Sequence, residues 1–239
     1  MSRTDSQPVE PKAIQTKPVH AGVTDALRSD ILHGVVGPGE RLIELQLVAR
    51  YGASRAAIRA AIAELVNEGL VDHEANRGAT VRRVAIDEAV QITEVRGLLE
   101  GLIAARAATM ATAEDRADLA SIGQLMRSAV AADRSVEYSD LNNRLHRRLR
   151  EISGHHVAAE LVGELRNRAA HHAVRLASIP GRPDVSLGQH AAIINAVIAG
   201  DSEAAQEAMR THLESVASML RHWARTEQAR TEQARPIAR

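Results

Sequence analysis

The chain contains no cysteine, and its 239 residues include no phenylalanine, two tyrosines and one tryptophan. The absence of cysteine excludes a disulfide framework, a thiolate metal site and a cysteine nucleophile. With so few aromatic side chains, the core must be built from alanine, leucine, isoleucine and valine. Because alanine and leucine are strong helix formers, this composition predicts a mostly α-helical protein.

Net charge and long apolar runs are also missing. The 30 basic side chains match the 30 acidic ones, so the overall charge by itself gives no evidence for a nucleic-acid partner. No apolar run approaches the roughly 20 residues of a transmembrane helix, and the N-terminus lacks the apolar centre of a signal peptide. We therefore expect a cytoplasmic protein of one large or two modest domains.

Both ends of the sequence are polar. Residues 1–18 hold three of the seven prolines and show no hydrophobic periodicity, which predicts a disordered tail. The pentad RTEQA occurs twice in succession from residue 225, and residues 225–239 are polar on every helical face. This second segment is predicted to be a polar tail, either a frayed helix extension or disordered.

Residues 19–84 form one unit with alternating helical and extended patterns. A first helix is predicted to end at Gly34, and the turn GPGE leads into a short extended piece and a helix closed by Gly52. Ser54 can cap the next helix, and apolar segments around EANRG predict a β-hairpin. This order of elements is typical of a winged helix-turn-helix domain.

The helix after Ser54 has features suited to a DNA major groove. Its outer face carries alanines, and Arg55 and Arg59 lie in its first turns, where a guanidinium can reach guanine or phosphate. No acidic residue occurs within 45–63 or 75–86, so this helix and the hairpin are locally cationic. An ordinary surface with scattered arginines is the alternative, but turn, cap, helix and hairpin together favour DNA binding.

The segments GVVGPGERLIE, YGASRAAIRAAIAELVNEGLV and NRGATV resemble the GntR family of winged-helix repressors. The resemblance implies an operator in double-stranded DNA as the partner. The DNA contacts that it implies are Arg55, Arg59 and Gly78, with Ser54 and Arg77 as weaker candidates. Ala57 stands where proline is common and Ala60 where glutamate is common, but neither change removes a base-reading arginine.

Residues 87–224 show helical periods only. The predicted helices are 87–110, 113–132, 136–152, 156–177, 184–199 and 202–224. Thr112 is placed to cap the second of them, with Asp115 three residues later. About six helices with short connections predict an all-α antiparallel bundle.

Three histidines and one amide share faces with apolar residues of these helices. Asn142 and His146 lie four residues apart on one helix, and His190 and His212 lie on two later helices. One divalent metal would give all three buried imidazoles a partner, and Zn, Ni, Co, Fe or Mn suits such ligands. The alternative for each histidine is a core residue that is hydrogen-bonded to a neighbour.

The segments EVRGLLEGLIAARAA, NRLHRRLREISG, QHAAIINAVIAGD and AMRTHL are similar to the FCD-type effector domain of FadR-like GntR regulators. The resemblance implies a metal held by Asn142, His146, His190 and His212, and a carboxylate effector bound with the help of Arg96. Asn142 stands where aspartate is more usual, so an anionic effector could supply the missing carboxylate.

Arg96 shares the apolar face of its helix, an awkward place for a guanidinium without an anion. Either a carboxylate effector or an internal salt bridge to Glu100 or Glu94 would satisfy it. Arg168 and His172 could line the same cavity, although surface positions fit them equally well.

The sequence as a whole predicts a ligand-responsive transcriptional regulator, with a repressor preferred over an activator. It is expected to bind a pseudo-palindromic operator as a homodimer and to respond to a small organic acid. One alternative is a metal-dependent enzyme that uses the histidines, although the sequence has no catalytic acid or nucleophile at a spacing that a known catalytic motif would require. The other is an architectural DNA-binding dimer that senses nothing.

Overall fold

The computed structural model describes residues 19–74, 78–169, 172 and 181–233, so the predicted tail 1–18 lies outside the described residues. The N-terminal elements are α1 (Val19–Leu32), β1 (Arg41–Leu42), α2 (Glu44–Tyr51), α3 (Arg55–Asn67), β2 (Val71–Glu74) and β3 (Gly78–Val81). The later ones are α4 (Ile86–Met110), α5 (Ala113–Ala131), α6 (Ser135–Ser153), α7 (His156–Arg168), α8 (Arg182–Ala199) and α9 (Ser202–Gln233). None of the helices in these ranges has a stretch long and apolar enough to span a membrane.

The first six elements form a winged helix-turn-helix, as the sequence predicts. The three strands form one antiparallel sheet in the order β1-β3-β2, with Arg41 opposite Thr80 and Val71 opposite Val81. The three helices and the sheet enclose a core that includes the fully buried Leu27. Residues 75–77, the turn of the predicted hairpin, lie outside the described residues.

Two local signals set the turn between α2 and α3. Gly52 closes α2 in a left-handed conformation with φ of 61°, which glycine adopts without the strain of a side chain. Ser54 then has an extended backbone, and its hydroxyl oxygen accepts a hydrogen bond from the Ala57 N–H at 3.2 Å. An N-cap of this kind typically contributes about 1 kcal/mol to helix stability. Together they bring α3 across α2 in the arrangement that the motif needs.

The later elements form the predicted all-α bundle. Thr112 and Asp115 make the reciprocal hydrogen bonds of a capping box at the start of α5. The long helices α4 and α9 pack closely because Gly101 has no side chain: a Cβ there would lie 3.2 Å from the Arg210 Cγ. The core is aliphatic, as expected from a chain without phenylalanine.

Two helix boundaries differ from the sequence expectation. Helix α7 ends at Arg168 rather than at 177, with Ala169 as its C-cap residue. Helix α9 continues to Gln233 instead of ending at 224, so residues 225–233 form the helix extension, one of the two alternatives for the polar tail. Residues 234–239 of that tail lie outside the described residues. The repeated pentad contains good helix formers and no glycine or proline, which explains why the helix continues.

Candidate functional site

The exposed face of α3 has the composition predicted for DNA contact. Arg55 and Arg59 are exposed, as are the alanines of the outer face, whereas the apolar stripe is buried in the domain core. The Arg59 side chain is 72% exposed, and its Nε lies 3.3 Å from Glu44 Oε1. Sequence reasoning missed this acid because Glu44 lies just before the acid-free stretch and reaches Arg59 from α2.

The other predicted DNA contacts have different structural settings. The hydroxyl oxygen of Ser54 serves as the α3 cap, and the residue is exposed. Gly78 begins β3 with φ of 82°, a left-handed value that favours glycine, and is exposed. Arg77 lies outside the described residues.

Three of the predicted metal ligands meet inside the bundle. His146 on α6, His190 on α8 and His212 on α9 are all buried, and one ligand atom from each lies within 4.8 Å of the others. The closest ring centroids, those of His190 and His212, are 4.4 Å apart. The residues lie 44 and 22 positions apart in the sequence, so the fold alone brings them together.

Each imidazole of this histidine triad is held through its Nδ1 atom. The partners are Glu100 Oε2 for His146 at 2.6 Å, the Tyr138 hydroxyl for His190 at 3.0 Å and Gln189 Oε1 for His212 at 3.1 Å. In metal sites such outer hydrogen bonds fix the ring and its tautomer so that the second nitrogen faces the metal. His190 Nε2 is buried and, among the described residues, has no hydrogen-bond partner. The triad therefore has the arrangement that a metal site requires.

Burial lowers the pKa of all three histidines, and for His190 and His212 it falls well below 6.5. The neighbouring imidazole of His146 and the Arg182 guanidinium lower the pKa of His190 and His212 further. A lowered pKa leaves each ring neutral at pH 7, with a nitrogen lone pair available for a metal.

Asn142 lies one helical turn before His146, on the same face of α6. Its side-chain oxygen Oδ1 is buried and has no hydrogen-bond partner among the described residues. A buried amide oxygen without a partner is costly and uncommon in native proteins. A metal ion at the triad would give this oxygen a partner.

Glu100, on α4, is the only buried carboxylate in the described part of the chain. Arg96 donates to Glu100 Oε1 from Nε at 2.8 Å and approaches it with Nη2 at 2.7 Å, so the internal salt bridge considered for Arg96 is present. Burial raises the pKa of Glu100, but Arg96, His146 and Arg166 outweigh it and hold that pKa well below its usual range. Glu100 is therefore an ionised carboxylate that links Arg96 to the histidine triad.

Two further guanidinium groups stand beside this salt bridge, and sequence reasoning did not name them. Arg150 has a buried Nη1 without a hydrogen-bond partner among the described residues. Arg166 Nη1 lies 3.9 Å from Glu100 Oε2, and burial together with Arg96 lowers the pKa of Arg166 to about 10. The spacing Asn142, His146, Arg150 could have identified Arg150, whereas no sequence signal points to Arg166.

Arg168 and His172 contact other groups. The sequence left two positions open for them, the lining of this cavity or the surface. Arg168 Nη2 donates to Glu88 Oε1 at 2.8 Å, and His172 Nε2 lies 2.7 Å from the Val84 carbonyl oxygen. Arg82 of the winged-helix domain donates to the same Glu88 oxygen at 3.1 Å. Arg168 follows Arg166 by two positions, which turns it to the other side of α7. Both residues therefore lie at the junction of the two domains.

Comparisons with known proteins agree with this architecture. Residues 20–81 match the family described as bacterial regulatory proteins, gntR family, and residues 91–215 match the FCD domain. The HTH-type transcriptional repressor RspR of Escherichia coli K12 is 27% identical over 215 residues, which cover 89% of this chain and 93% of that protein. An uncharacterized HTH-type transcriptional regulator in an unstable DNA locus of Streptomyces ambofaciens is 30% identical over 201 residues, 80% of each chain.

A solved structure, E. coli McbR/YncC, shares the fold with a TM-score of 0.77 at 20% identity, covering 87% of this chain and all of that one. The matched families and named relatives are transcriptional regulators and not enzymes, so the metal-dependent enzyme is set aside. The chain belongs to the GntR family of DNA-binding transcriptional regulators, among the members with a C-terminal FCD domain.

Proposed function

We propose that this regulator is a repressor whose operator affinity is controlled by a small organic acid bound beside a divalent metal in the helical domain. The observation that carries the proposal is the buried histidine triad, oriented through its Nδ1 atoms and surrounded by more guanidinium groups than carboxylates. An excess of positive charge that is partly withdrawn from water is stabilised by an anion.

His146, His190, His212 and Asn142 are the residues that would hold the metal. Imidazole nitrogens with an amide oxygen fit Zn, Ni, Co, Fe or Mn. The bound metal supplies a Lewis-acidic centre for a carboxylate oxygen. Because all four protein ligands are neutral, the effector's carboxylate would provide negative charge that the protein does not.

The DNA-binding half of the proposal rests on the exposed face of α3 and the wing. Arg55 and Arg59 would read bases or phosphates in the major groove, and Ser54, Arg77 and Gly78 would contact the backbone near them. One short helix gives weak half-site recognition, so we propose a homodimer on a pseudo-palindromic operator. A regulator of this kind works in the cytoplasm, where bacterial DNA lies.

Helix α7 offers a route from the effector to the DNA-binding domain. Arg166 lies beside Glu100 at the effector site, and Arg168 holds Glu88 at the domain junction. Arg82 holds the same carboxylate from the winged-helix side. An anion that draws Arg166 away from Glu100 would shift this end of α7 and re-space the two winged helices of the dimer.

The metal part of the proposal is tested by elemental analysis of the purified full-length chain after exchange against each of the five candidate metals. We expect about one metal per chain in the wild type and its loss in His190→Ala. His222→Ala, which removes an exposed histidine of α9, is the matched control and should retain the metal. A wild-type protein that binds none of the five would contradict the proposal.

The sensing part needs an operator, which selection from random DNA with the wild-type protein provides. Operator affinity is then measured with and without a panel of carboxylates. An effect of one of them separates the proposed sensor from an architectural dimer. The same affinity in every condition would favour the architectural protein.

A further inference from the structure

The proposed effector site contains one carboxylate, that of Glu100, and both of its oxygens have close partners. Both contacts from Arg96 fall on Glu100 Oε1, at 2.8 and 2.7 Å. His146 Nδ1 occupies Oε2 at 2.6 Å. Glu100 therefore brings one negative charge to a group of three guanidinium groups, and both of its oxygens already have a close partner.

Arg150 and Arg166 are the cations that remain. Arg166 approaches Glu100 only to 3.9 Å, and its Nη2 donates to the neutral amide oxygen of Asn143 at 2.8 Å. Arg150 Nη1 is buried without any hydrogen-bond partner among the described residues. An amide does not neutralise a guanidinium. Arg150 and Arg166 are both partly withdrawn from water, and together with Arg96 they carry more positive charge than the single carboxylate of Glu100 balances.

The positions of these residues relative to the triad set where an anion can bind. Asn142, His146 and Arg150 follow one another at intervals of four residues along α6. Side chains at that spacing lie about 6 Å apart on one face of a helix. An acidic group held by Arg150 would thus lie about one helical turn from a group bound at the triad.

We infer that the effector carries two acidic groups: one binds at the histidine triad, and the other is held by Arg150 and Arg166. This inference rests on the proposed organic-acid sensor and specifies its ligand class as a short dianion. The second group is a carboxylate or a phosphate-like group, because a guanidinium fork binds either one through paired N–H donors. A monoanion bound at the triad would leave both guanidinium groups without an anionic partner of their own.

Binding measurements on the full-length, metal-equilibrated protein test the ligand class. The probes are malonate, succinate and glutarate, each compared with the monoacid of equal length: propionate, butyrate and valerate. A fourth probe, 3-phosphonopropionate, places a phosphonate where succinate has its second carboxylate. We expect at least one dianion to bind about tenfold or more tightly than its matched monoanion. Comparison of succinate with the phosphonate identifies which second group the site prefers.

Arg150→Gln tests whether Arg150 holds the second acidic group. Arg147→Gln, which replaces an exposed arginine of the same helix, is the matched control. Arg150→Gln should reduce the affinity for the dianion to about that for the monoanion and leave the monoanion affinity nearly unchanged. It should also raise the unfolding temperature of the ligand-free protein by about 2–4 °C, because an unpaired buried charge is removed. Arg147→Gln should change neither quantity.

The outcomes separate this inference from the proposed function. If none of the probes binds, the proposed sensor of small acids fails as well. If monoanions bind as tightly as dianions, the sensor stands and the two-group effector is overturned. An Arg150→Gln protein that is less stable without ligand, and keeps its preference for dianions, shows that Arg150 has a structural partner and contradicts the inference.

Discussion

Asn142 supplies a neutral amide oxygen at a position where a carboxylate would bring its own negative charge. Its Oδ1 is buried, has no hydrogen-bond partner in the part of the chain that the structure describes, and lies one turn from His146. We predict that Asn142→Asp raises the affinity for Zn²⁺, measured without any organic acid, by about tenfold, because ligand charge tunes metal affinity. Competition with a chelating dye measures the change. Asn67→Asp, on an exposed site of the other domain, should have no effect, and an equal affinity in Asn142→Asp would show that this oxygen is not a ligand.

Arg59 is one of the two exposed arginines of α3 that are proposed to read DNA, and its Nε lies 3.3 Å from Glu44 Oε1. Arg59→Ala should weaken binding to the selected operator by about 1–3 kcal/mol, the usual value of one base-reading arginine. Fluorescence anisotropy with labelled operator measures it. Arg134→Ala removes an exposed arginine of the helical domain and should leave operator binding unchanged. Equal losses in both variants would argue against base recognition by Arg59.

Residue-level prediction from the sequence depended on spacing within a single helix. Asn142 and His146 were identifiable because residues four apart share a face, and Arg150 continues that series. The same rule could not tell which of Arg166 and Arg168 faces the histidine triad. Their partners, Glu100 and Glu88, lie 66 and 80 positions away, and the packing of α7 decides which arginine meets which carboxylate.

At the scale of elements, α7 is the helix that contacts both Glu100, at the proposed effector site, and Glu88, at the domain junction. Glu88 accepts hydrogen bonds from Arg168 on α7 and from Arg82 next to the wing. Glu88→Gln should leave the succinate affinity within about twofold but reduce the change in operator affinity that succinate causes by about fivefold, a common size of allosteric coupling. Calorimetry measures the first quantity and anisotropy the second.

Asp118→Asn is a closely matched control for Glu88→Gln. Asp118 also accepts from two arginines, Arg144 at 2.7 Å and Arg148 at 3.1 Å, but all three lie within the bundle. The response to succinate should be normal in this variant. An unchanged response in Glu88→Gln, or an equal loss in Asp118→Asn, would show that the contact between α7 and Glu88 does not carry the signal.

The elements themselves were largely predictable, and their ends less so. Gly52, Ser54 and Thr112 are local signals that act through hydrogen bonds with near neighbours, so the turn and two helix starts could be identified from the sequence. No glycine or proline marks the end of α7, so no signal in the sequence indicates that the helix stops at Arg168. The residues after 224 likewise contain no glycine or proline before the end of α9 at Gln233, so that boundary has no signal in the sequence either.

At the scale of the whole molecule, the metal would stabilise the helical domain by joining α6, α8 and α9. Removal of the metal with a chelator should lower the unfolding temperature of the wild type, because a ligand that binds only the folded state stabilises it by about 4 kcal/mol at a thousand times its dissociation constant. Scanning calorimetry measures the shift. His190→Ala should unfold at the same temperature with and without chelator. A wild-type curve that the chelator does not move would contradict a metal in the bundle.

The two-domain organisation was readable from the sequence because each domain has its own hydrophobic period and its own motifs. Contacts between the domains were not readable. Arg168 bonds to Glu88 and His172 to the Val84 carbonyl oxygen, and such hydrogen bonds leave no periodic signal in the sequence. For this reason the sequence left the positions of Arg168 and His172 open between the cavity and the surface.

The most direct test of the account is the affinity for the selected operator, measured with and without succinate. The wild type and His190→Ala are both equilibrated with metal before the measurement. We predict a change of about fivefold or more in the wild type. In His190→Ala the operator affinity should be the same with and without succinate. A wild-type affinity that neither succinate nor any other acid of the panel changes would contradict the central claim, that an anion at the histidine triad controls DNA binding.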